Sequence, residues 1–255
     1  MANRYFMHLA YNGAPYHGWQ RQPNASSVQE ELEKALSTVL RTEVAITGAG
    51  RTDTGVNARC MYAHFDVEQP IADTRRLANA LNSLVGRDIA VYSIVPVAPD
   101  AHTRFDATSR TYKYFICKQK SPFSYQFAWT PPYALDVARM NEAAARLFDY
   151  VDFTSFSKLH TDAKTNNCRI DYARWDDEGD RLVFTITADR FLRNMVRAIV
   201  GTLVDVGRGR LTVDGFCKVI EKKDRCEAGT SVPGNALFLW DITYPYAIGK
   251  EGNNK

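Results

Sequence analysis

The chain's 255 residues allow one large domain or two moderate ones, and its 32 basic and 29 acidic residues leave a net charge of +3, too small by itself to indicate nucleic-acid binding. The five cysteines and five histidines show no Cys-x-x-Cys or His-x-x-x-His spacing, which argues against a disulfide framework and against a metal site. The N-terminus does not resemble a signal peptide, and no apolar run approaches the roughly 20 residues that cross a bilayer, so we expect a cytoplasmic protein without a membrane segment.

The N-terminal part of the chain shows a regular order of strands and helices. Hydrophobic periodicity and turn residues predict a strand over 4–11, a helix over 28–40, a short strand near 44–46, a strand over 61–68, a helix with apolar residues at 77, 80, 81 and 84, and a strand over 89–97. Ser27 and Glu30 are placed for a capping box, and Asp73 is placed to cap the second helix. The order β-α-β-β-α-β is that of a ferredoxin-like domain.

The C-terminal part repeats this order. The predicted elements are a strand over 111–118, a helix over 136–148, strands over 169–175 and 182–188, a helix over 191–206, a shorter helix over 213–221 and a strand over 237–244. We therefore predict an α+β protein with a ferredoxin-like half over 1–103, a second such half over 104–247 and a polar tail over 248–255.

A polar, glycine-rich loop over 48–58 joins two of the predicted strands. Its glycines imply tight turns or close approach by another part of the chain, and Arg51 and Asp53 stand between them. Such a loop is where a rigid scaffold presents catalytic groups. The alternative is an Asx-type turn, in which Asp53 bonds to its own backbone and Arg51 is solvated.

The tripeptide Asp53-Thr54-Gly55 also matches the Asp-Thr-Gly sequence of aspartic proteases. Those enzymes need two aspartates that share a proton, so here a homodimer would have to supply the pair. The protease loop also enters from an apolar strand, whereas Gly50-Arg51-Thr52 precedes Asp53 here. An aspartic protease is therefore the less favoured interpretation of this loop.

The stretch Gly48–Val56 resembles the catalytic signature of the tRNA pseudouridine synthase A family, which modifies positions 38, 39 and 40 in the anticodon stem-loop of tRNA. Further blocks resemble the same family in the same order, at Tyr16–Gln29, Asn79–Asn82, Asp88–Val91, Arg104–Ala107, Arg110–Tyr114, Asp152–Phe156 and Phe191–Arg197. The chain departs from the family at Asn57, where the usual residue is His.

This resemblance implies two ferredoxin-like halves with joined antiparallel sheets and a central active-site cleft. The implied reaction detaches uracil from C1′ of its ribose and reattaches it through C5, without a redox change, so neither a cofactor nor a metal is expected. The implied partners are tRNA and a second copy of the chain. A non-catalytic RNA-binding protein is the alternative, because ferredoxin-like sheets that carry aromatic residues commonly bind RNA.

The resemblance assigns catalysis to Asp53, Tyr112 and Arg197. Asp53 is the carboxylate that starts glycosidic cleavage. The ring of Tyr112 is suited to stacking on uracil and its hydroxyl to proton transfer at C5. The alternative for Tyr112 is a core position on a strand whose residues Tyr112 and Tyr114 both face inward.

Arg197 is the expected partner of Asp53. At 3.6 residues per turn, Arg193 and Arg197 of the helix predicted over 191–206 fall on one stripe with Arg190, the residue before that helix. Arg197 borders the apolar face of that helix, where a buried arginine needs a carboxylate. The alternative for the stripe is a solvated basic face.

Arg51 is expected to enter the RNA. The target uridine must leave its stack, and a guanidinium near Asp53 is suited to fill the vacated space. The remaining phosphate contacts are expected at Arg104, Arg110, Lys113, Arg190 and Arg193.

Overall fold

A computed structural model of the chain describes residues 2–158 and 165–249. These form two compact units, the first containing residues up to Thr108 together with those from Leu239 onward, and the second containing Ser109–Phe238. Most of the polar tail predicted over 248–255 lies outside the described residues. Within the described ranges, no helix is long and apolar enough to cross a membrane.

The first unit contains a sheet and two helices. Its elements are β1 (Asn3–Tyr11), α1 (Val28–Leu40), β2 (Thr47–Gly48), β3 (Asn57–Val67), α2 (Thr74–Leu84), β4 (Ile89–Pro96) and most of β8 (Leu237–Thr243). Strand β1 lies between β4 and β3 and is antiparallel to both, β2 is antiparallel to β3, and β8 lies beside β3. The predicted β-α-β-β-α-β order is confirmed.

Alternation along β1 places apolar side chains in the core of the first unit. Tyr5, Met7 and Leu9 of that strand are buried, as the two-residue period of a strand requires. Both helices begin where the sequence predicts. The Ser27 side chain accepts a hydrogen bond from the Glu30 amide at 3.3 Å, and Asp73 caps α2 in the same way.

The short strand predicted near 44–46 is wrong in position, because strand pairing begins only at Thr47. Side chains of α1 satisfy the backbone before that point. The Val44 amide donates to Ser37 Oγ at 3.0 Å, and the Ile46 amide donates to Glu33 Oε1 at 3.0 Å. Both apolar side chains are buried, so the hydrophobic pattern was real but belonged to a loop packed against a helix.

The elements of the second unit follow the order β-α-β-β-α-α, because most of the closing strand β8 belongs to the first unit. They are β5 (Ser109–Cys117), α3 (Val137–Ala145), β6 (Ile170–Asp177), β7 (Arg181–Ala188), α4 (Met195–Gly207) and α5 (Val213–Glu221). Strand β7 lies between β5 and β6 and is antiparallel to both. Helix α4 is buried along most of its length. The α+β class is therefore confirmed.

The helix predicted over 191–206 begins later than expected, at Met195. The residue before it, Asn194, has a φ of 67°, which is the left-handed region that a right-handed helix cannot pass through. Arg190 and Arg193 therefore precede the helix. The predicted stripe of three arginines along it is wrong, and of these three only Arg197 is helical.

Candidate active site

The loop between β2 and β3, residues 49–56, is bonded to the chain segment that follows β1. The Trp19 amide donates to the Thr52 carbonyl at 3.3 Å, and the Gly55 amide donates to the Tyr16 carbonyl at 3.3 Å. The Tyr11 hydroxyl lies 2.8 Å from Thr52 Oγ1 in a buried hydrogen bond. These bonds fix the loop on both sides of Asp53.

Two glycines let the segment after β1 approach this loop closely. A Cβ atom on Gly18, whose φ is 95°, would lie 2.3 Å from the Thr52 carbonyl oxygen. A Cβ atom on Gly13 would lie 2.2 Å from the Val56 carbonyl oxygen. No larger residue fits at either position without moving backbone. The glycines in this part of the chain therefore serve the contact between two backbone segments.

Asp53 is half-buried between the buried Thr52 and the exposed Thr54. Its backbone carbonyl accepts a hydrogen bond from the Val56 amide at 3.1 Å, and Gly55 within the turn has a φ of 76°. Backbone bonds therefore close this turn, as in an ordinary β-turn. The half-buried side chain of Asp53 therefore extends from a turn whose backbone is fixed.

Asn57, the position where the sequence departs from the family pattern, has a structural contact. The side chain is 1% exposed, and its Oδ1 accepts a hydrogen bond from the Gly13 amide at 2.9 Å. This bond connects the start of β3 to the turn after β1. Asn57 therefore supplies the acceptor for the buried backbone amide of Gly13.

Two of the predicted RNA contacts, Arg51 and Arg104, line one depression of about 200 Å³ on the first unit. Its other walls come from Trp19, Gln20, Gln29, Ile46, Thr47, Gly48 and Gly50. Arg51 is exposed, and its Nε donates to Gln20 Oε1 at 3.1 Å. Two guanidinium groups and two amide side chains give this depression hydrogen-bond donors, which suit the acceptor atoms of phosphate groups and base edges.

In the second unit, the predicted residues of β5 are partly exposed. Tyr112 is half-buried and packs edge-on against Phe191, with ring centroids 5.0 Å apart. Tyr114 is fully buried, and its hydroxyl donates to the Pro233 carbonyl at 3.2 Å. Burial raises the pKa of Tyr114 well above its usual value. Tyr114 is therefore a core residue, whereas Tyr112 is only half-buried.

The other predicted basic residues of β5 are also half-buried. Arg110 donates from a guanidinium nitrogen to the Asp189 carbonyl at 2.8 Å, and Lys113 lies on the same strand. Just before α4, Arg190 is half-buried and Arg193 is exposed. The Arg193 carbonyl accepts a hydrogen bond from the Lys158 amide at 3.1 Å.

Arg197 lies in the first turns of α4 and is half-buried. Its Nε donates to the Val232 carbonyl at 2.7 Å, and its own carbonyl accepts from the Val232 amide at 3.3 Å. A fixed contact with the Val232 carbonyl therefore orients the guanidinium. This position fits neither of the two simple alternatives, a solvated surface charge or a fully buried one.

The structure places the predicted residues in two groups. Asp53, Arg51 and Arg104 belong to the first unit, and the second unit carries Tyr112, Arg197, Arg110, Lys113, Arg190 and Arg193. The structure adds residues that the sequence did not single out. His102 Nδ1 accepts hydrogen bonds from the backbone amides of Arg104 and Phe105, and the His102 amide donates to Asp106 Oδ2. The only sequence signal for this turn is the block Arg104–Ala107.

Comparison with known proteins assigns this chain to a family. The sequence model of the family described as tRNA pseudouridine synthase matches residues 8–106 and 143–245. A tRNA pseudouridine synthase A of Parabacteroides distasonis is 64% identical over 95% of this chain and 96% of its own length. The protein of the same name in Bacteroides thetaiotaomicron is 61% identical over 99% of this chain and 94% of its own. The protein of the same name in Bacillus subtilis is 38% identical over 92% of this chain and 97% of its own length.

Proposed function

Because the chain belongs to the tRNA pseudouridine synthase A family and is an isomerase that makes pseudouridine in tRNA, we propose that it acts at positions 38, 39 and 40 of the anticodon stem-loop, with Asp53 as its catalytic carboxylate. The observation that carries the proposal is the loop 49–56, which holds Asp53 half-buried in a turn braced by the segment after β1. Family membership contradicts both alternatives, the aspartic protease and the non-catalytic RNA-binding protein.

Asp53 would start the reaction by acting on the target nucleotide. A carboxylate is able to attack a carbon as a nucleophile or to take a proton as a base. In either role its position must hold while uracil leaves C1′ and turns to present C5. The bonds to Tyr16 and Trp19 and the contact with Gly18 keep the loop from moving during these steps.

The second unit would contribute Tyr112 and Arg197. The half-exposed ring of Tyr112 is available to stack on the uracil, and its hydroxyl to move a proton at C5. Arg197, oriented by the Val232 carbonyl, would supply a positive charge for the carboxylate. We propose these roles from the family match together with the fixed contacts of each side chain.

RNA binding would draw on both units. Arg51 and Arg104 line one depression beside the loop of Asp53, where a nucleotide removed from its stack needs phosphate and edge contacts. Flipping a nucleotide costs a few kcal/mol, and a guanidinium inserted in its place would offset part of that cost. Further phosphate contacts are proposed at Arg110, Lys113, Arg190 and Arg193.

The proposal includes a homodimer that works in the cytoplasm, where tRNA is found. Sedimentation of the purified chain, alone and with tRNA, tests the dimer. The modified positions are tested by incubating the protein with an unmodified tRNA transcript and mapping pseudouridine chemically. We expect modification at 38, 39 and 40 wherever uridine is present, and none when those uridines are replaced by cytidine. Pseudouridine found only elsewhere in the tRNA would contradict the proposed positions.

A further inference from the structure

Residues 102–106 form a turn that side chains close. The His102 amide donates to Asp106 Oδ2 at 2.7 Å, and the Asp106 amide donates to the His102 carbonyl at 3.0 Å. His102 Nδ1 accepts the amides of Arg104 and Phe105 at 3.1 and 3.2 Å. The Tyr246 hydroxyl donates to the same Asp106 oxygen at 2.7 Å. Five hydrogen bonds therefore fix a turn of five residues.

This turn holds an aromatic ring in the open. The Phe105 side chain is 76% exposed, and one side of its ring lies against His102, with centroids 4.2 Å apart. Burial lowers the pKa of His102, which favours the neutral imidazole that Nδ1 needs in order to accept the two amide hydrogens. An exposed ring whose backbone is already ordered loses little entropy when a ligand covers it.

The surroundings of Phe105 indicate which ligand this is. The Arg104 guanidinium lies 5.9 Å from the Phe105 ring centroid, and Arg104 lines the same depression as Arg51 and Gln20. Cationic groups beside a flat apolar surface match a nucleotide, which joins an anionic phosphate to a flat base. An apolar segment of a protein partner would gain nothing from the two guanidinium groups.

We propose that Phe105 is a stacking platform for one unpaired base of the tRNA substrate, while Arg104 contacts the phosphate next to it. The proposal rests on the proposed function, since it takes tRNA as the ligand. It adds to that function a binding residue outside the loop of Asp53. Phe105 acts in binding and has no part in the bond rearrangement.

The experiment compares three substitutions of Phe105 with a matched control. Phe105→Ala removes the ring, Phe105→Leu keeps apolar surface without an aromatic face, and Phe105→Trp keeps the face. Phe148→Ala removes a ring of the second unit that is 49% exposed. For each protein we would measure tRNA affinity by filter binding at two salt concentrations, and kcat and KM by tritium release. Arg104→Ala is measured alongside them, and the melting temperatures of all five variants check the fold.

Base stacking on an aromatic side chain is worth about 1–3 kcal/mol, so Phe105→Ala and Phe105→Leu should weaken tRNA binding by about five- to 150-fold. Phe105→Trp should bind like the original protein, and so should Phe148→Ala. The salt dependence should stay the same in the Phe105 variants, because no phosphate contact is lost, whereas Arg104→Ala should reduce it. Phe105→Ala and Phe105→Leu should show a raised KM and an unchanged kcat, whereas Phe105→Trp should keep both values.

Unchanged affinity of Phe105→Ala would overturn the proposal, and so would wild-type affinity of Phe105→Leu, because the contact would then be apolar without stacking. The same measurements separate this proposal from the proposed function. An unmutated protein that binds tRNA through Phe105 but forms no pseudouridine would contradict the function alone. An active protein indifferent to Phe105→Ala would contradict the stacking platform alone.

Discussion

The loop of Asp53 and the turn of Phe105 lie in the same unit but are held in different ways. Backbone contacts fix most of the loop, through amides and carbonyls of Tyr16, Trp19 and Thr52 and a close contact at Gly18, with one buried side-chain bond from Tyr11 to Thr52. Side chains fix the turn at 102–106, chiefly the imidazole of His102. The loop of Asp53 should therefore be sensitive to added volume in neighbouring residues, whereas the turn should be sensitive to the loss of single polar groups.

The largest effect is expected at Gly18. The substitution Gly18→Ala adds a Cβ atom 2.3 Å from the Thr52 carbonyl oxygen at a residue with positive φ. Strain and overpacking together should cost about 2–4 kcal/mol of unfolding free energy. Gly50→Ala is the matched control, because a Cβ atom there would have no heavy atom within 4 Å. Urea unfolding of the two variants tests the backbone contact, and equal stability would contradict it.

The next largest effect is expected in the stability of the protein at low pH, and it depends on His64. His64 is 6% exposed, its Nδ1 lies 2.8 Å from Thr103 Oγ1, and its ring lies 4.5 Å from that of His102. Burial, and then the nearby charges of His102 and Arg4, lower the pKa of His64 from 6.5 to about 4. The unfolded chain therefore takes up this proton first as the pH falls.

The resulting stability should be complete above pH 6.5 and be lost as the pH falls toward 4. Its size should be on the order of 3 kcal/mol for a shift of this extent. His64→Gln retains a polar side chain and removes the titration, so its stability should vary less over this range. Urea unfolding at several pH values measures the difference, and identical pH dependence of the two proteins would contradict the assignment.

Asn57 tests the loop from its other end. Asn57→Ala leaves the buried Gly13 amide without its acceptor and should cost about 1–3 kcal/mol of unfolding free energy. Asn57→His, which introduces the residue usual in the family, should cost less and should change turnover little, because a ring nitrogen is able to accept the same bond. A turnover loss in Asn57→His comparable to that of an Asp53 variant would show that this position takes part in the chemistry.

The smallest effect is expected at His102. His102→Ala removes the acceptor for the Arg104 and Phe105 amides, which are exposed and bond to water instead, so stability should fall by less than about 1 kcal/mol. Binding of tRNA should weaken severalfold because the platform is less ordered, and His102→Asn should restore part of it. If His102→Ala bound tRNA as tightly as the unmutated protein, the ordering of the turn would be irrelevant to binding.

Sequence periodicity predicted most of the fold because the elements bury one face each, and the caps at Ser27 and Asp73 are local. It failed where a single residue changes the local structure, as at the left-handed Asn194 before α4. It also failed near 44–46, where Ser37 and Glu33 replace strand partners. The local structure at these two places depends on contacts with other parts of the chain, which a short sequence pattern does not contain.

The candidate site was predictable to the extent that it is local. The motif around Asp53 identifies the loop, but the residues that hold it are distant in sequence, such as Tyr11, which bonds to Thr52. The turn of Phe105 depends on Tyr246, separated from Asp106 by 140 residues. Contacts over such separations follow from the sheet arrangement and not from any one segment.

The most direct test of the account is Asp53→Asn, which keeps the size of the side chain and removes its charge. We would measure pseudouridine formation by tritium release and tRNA affinity by filter binding on the same preparation, with the exposed Asp100→Asn as control. We predict no detectable pseudouridine and tRNA binding at least as tight as that of the unmutated protein, because basic residues hold the phosphates. Conversion at a substantial fraction of the original rate, or loss of tRNA binding in step with activity, would contradict the assignment of Asp53 as the catalytic carboxylate.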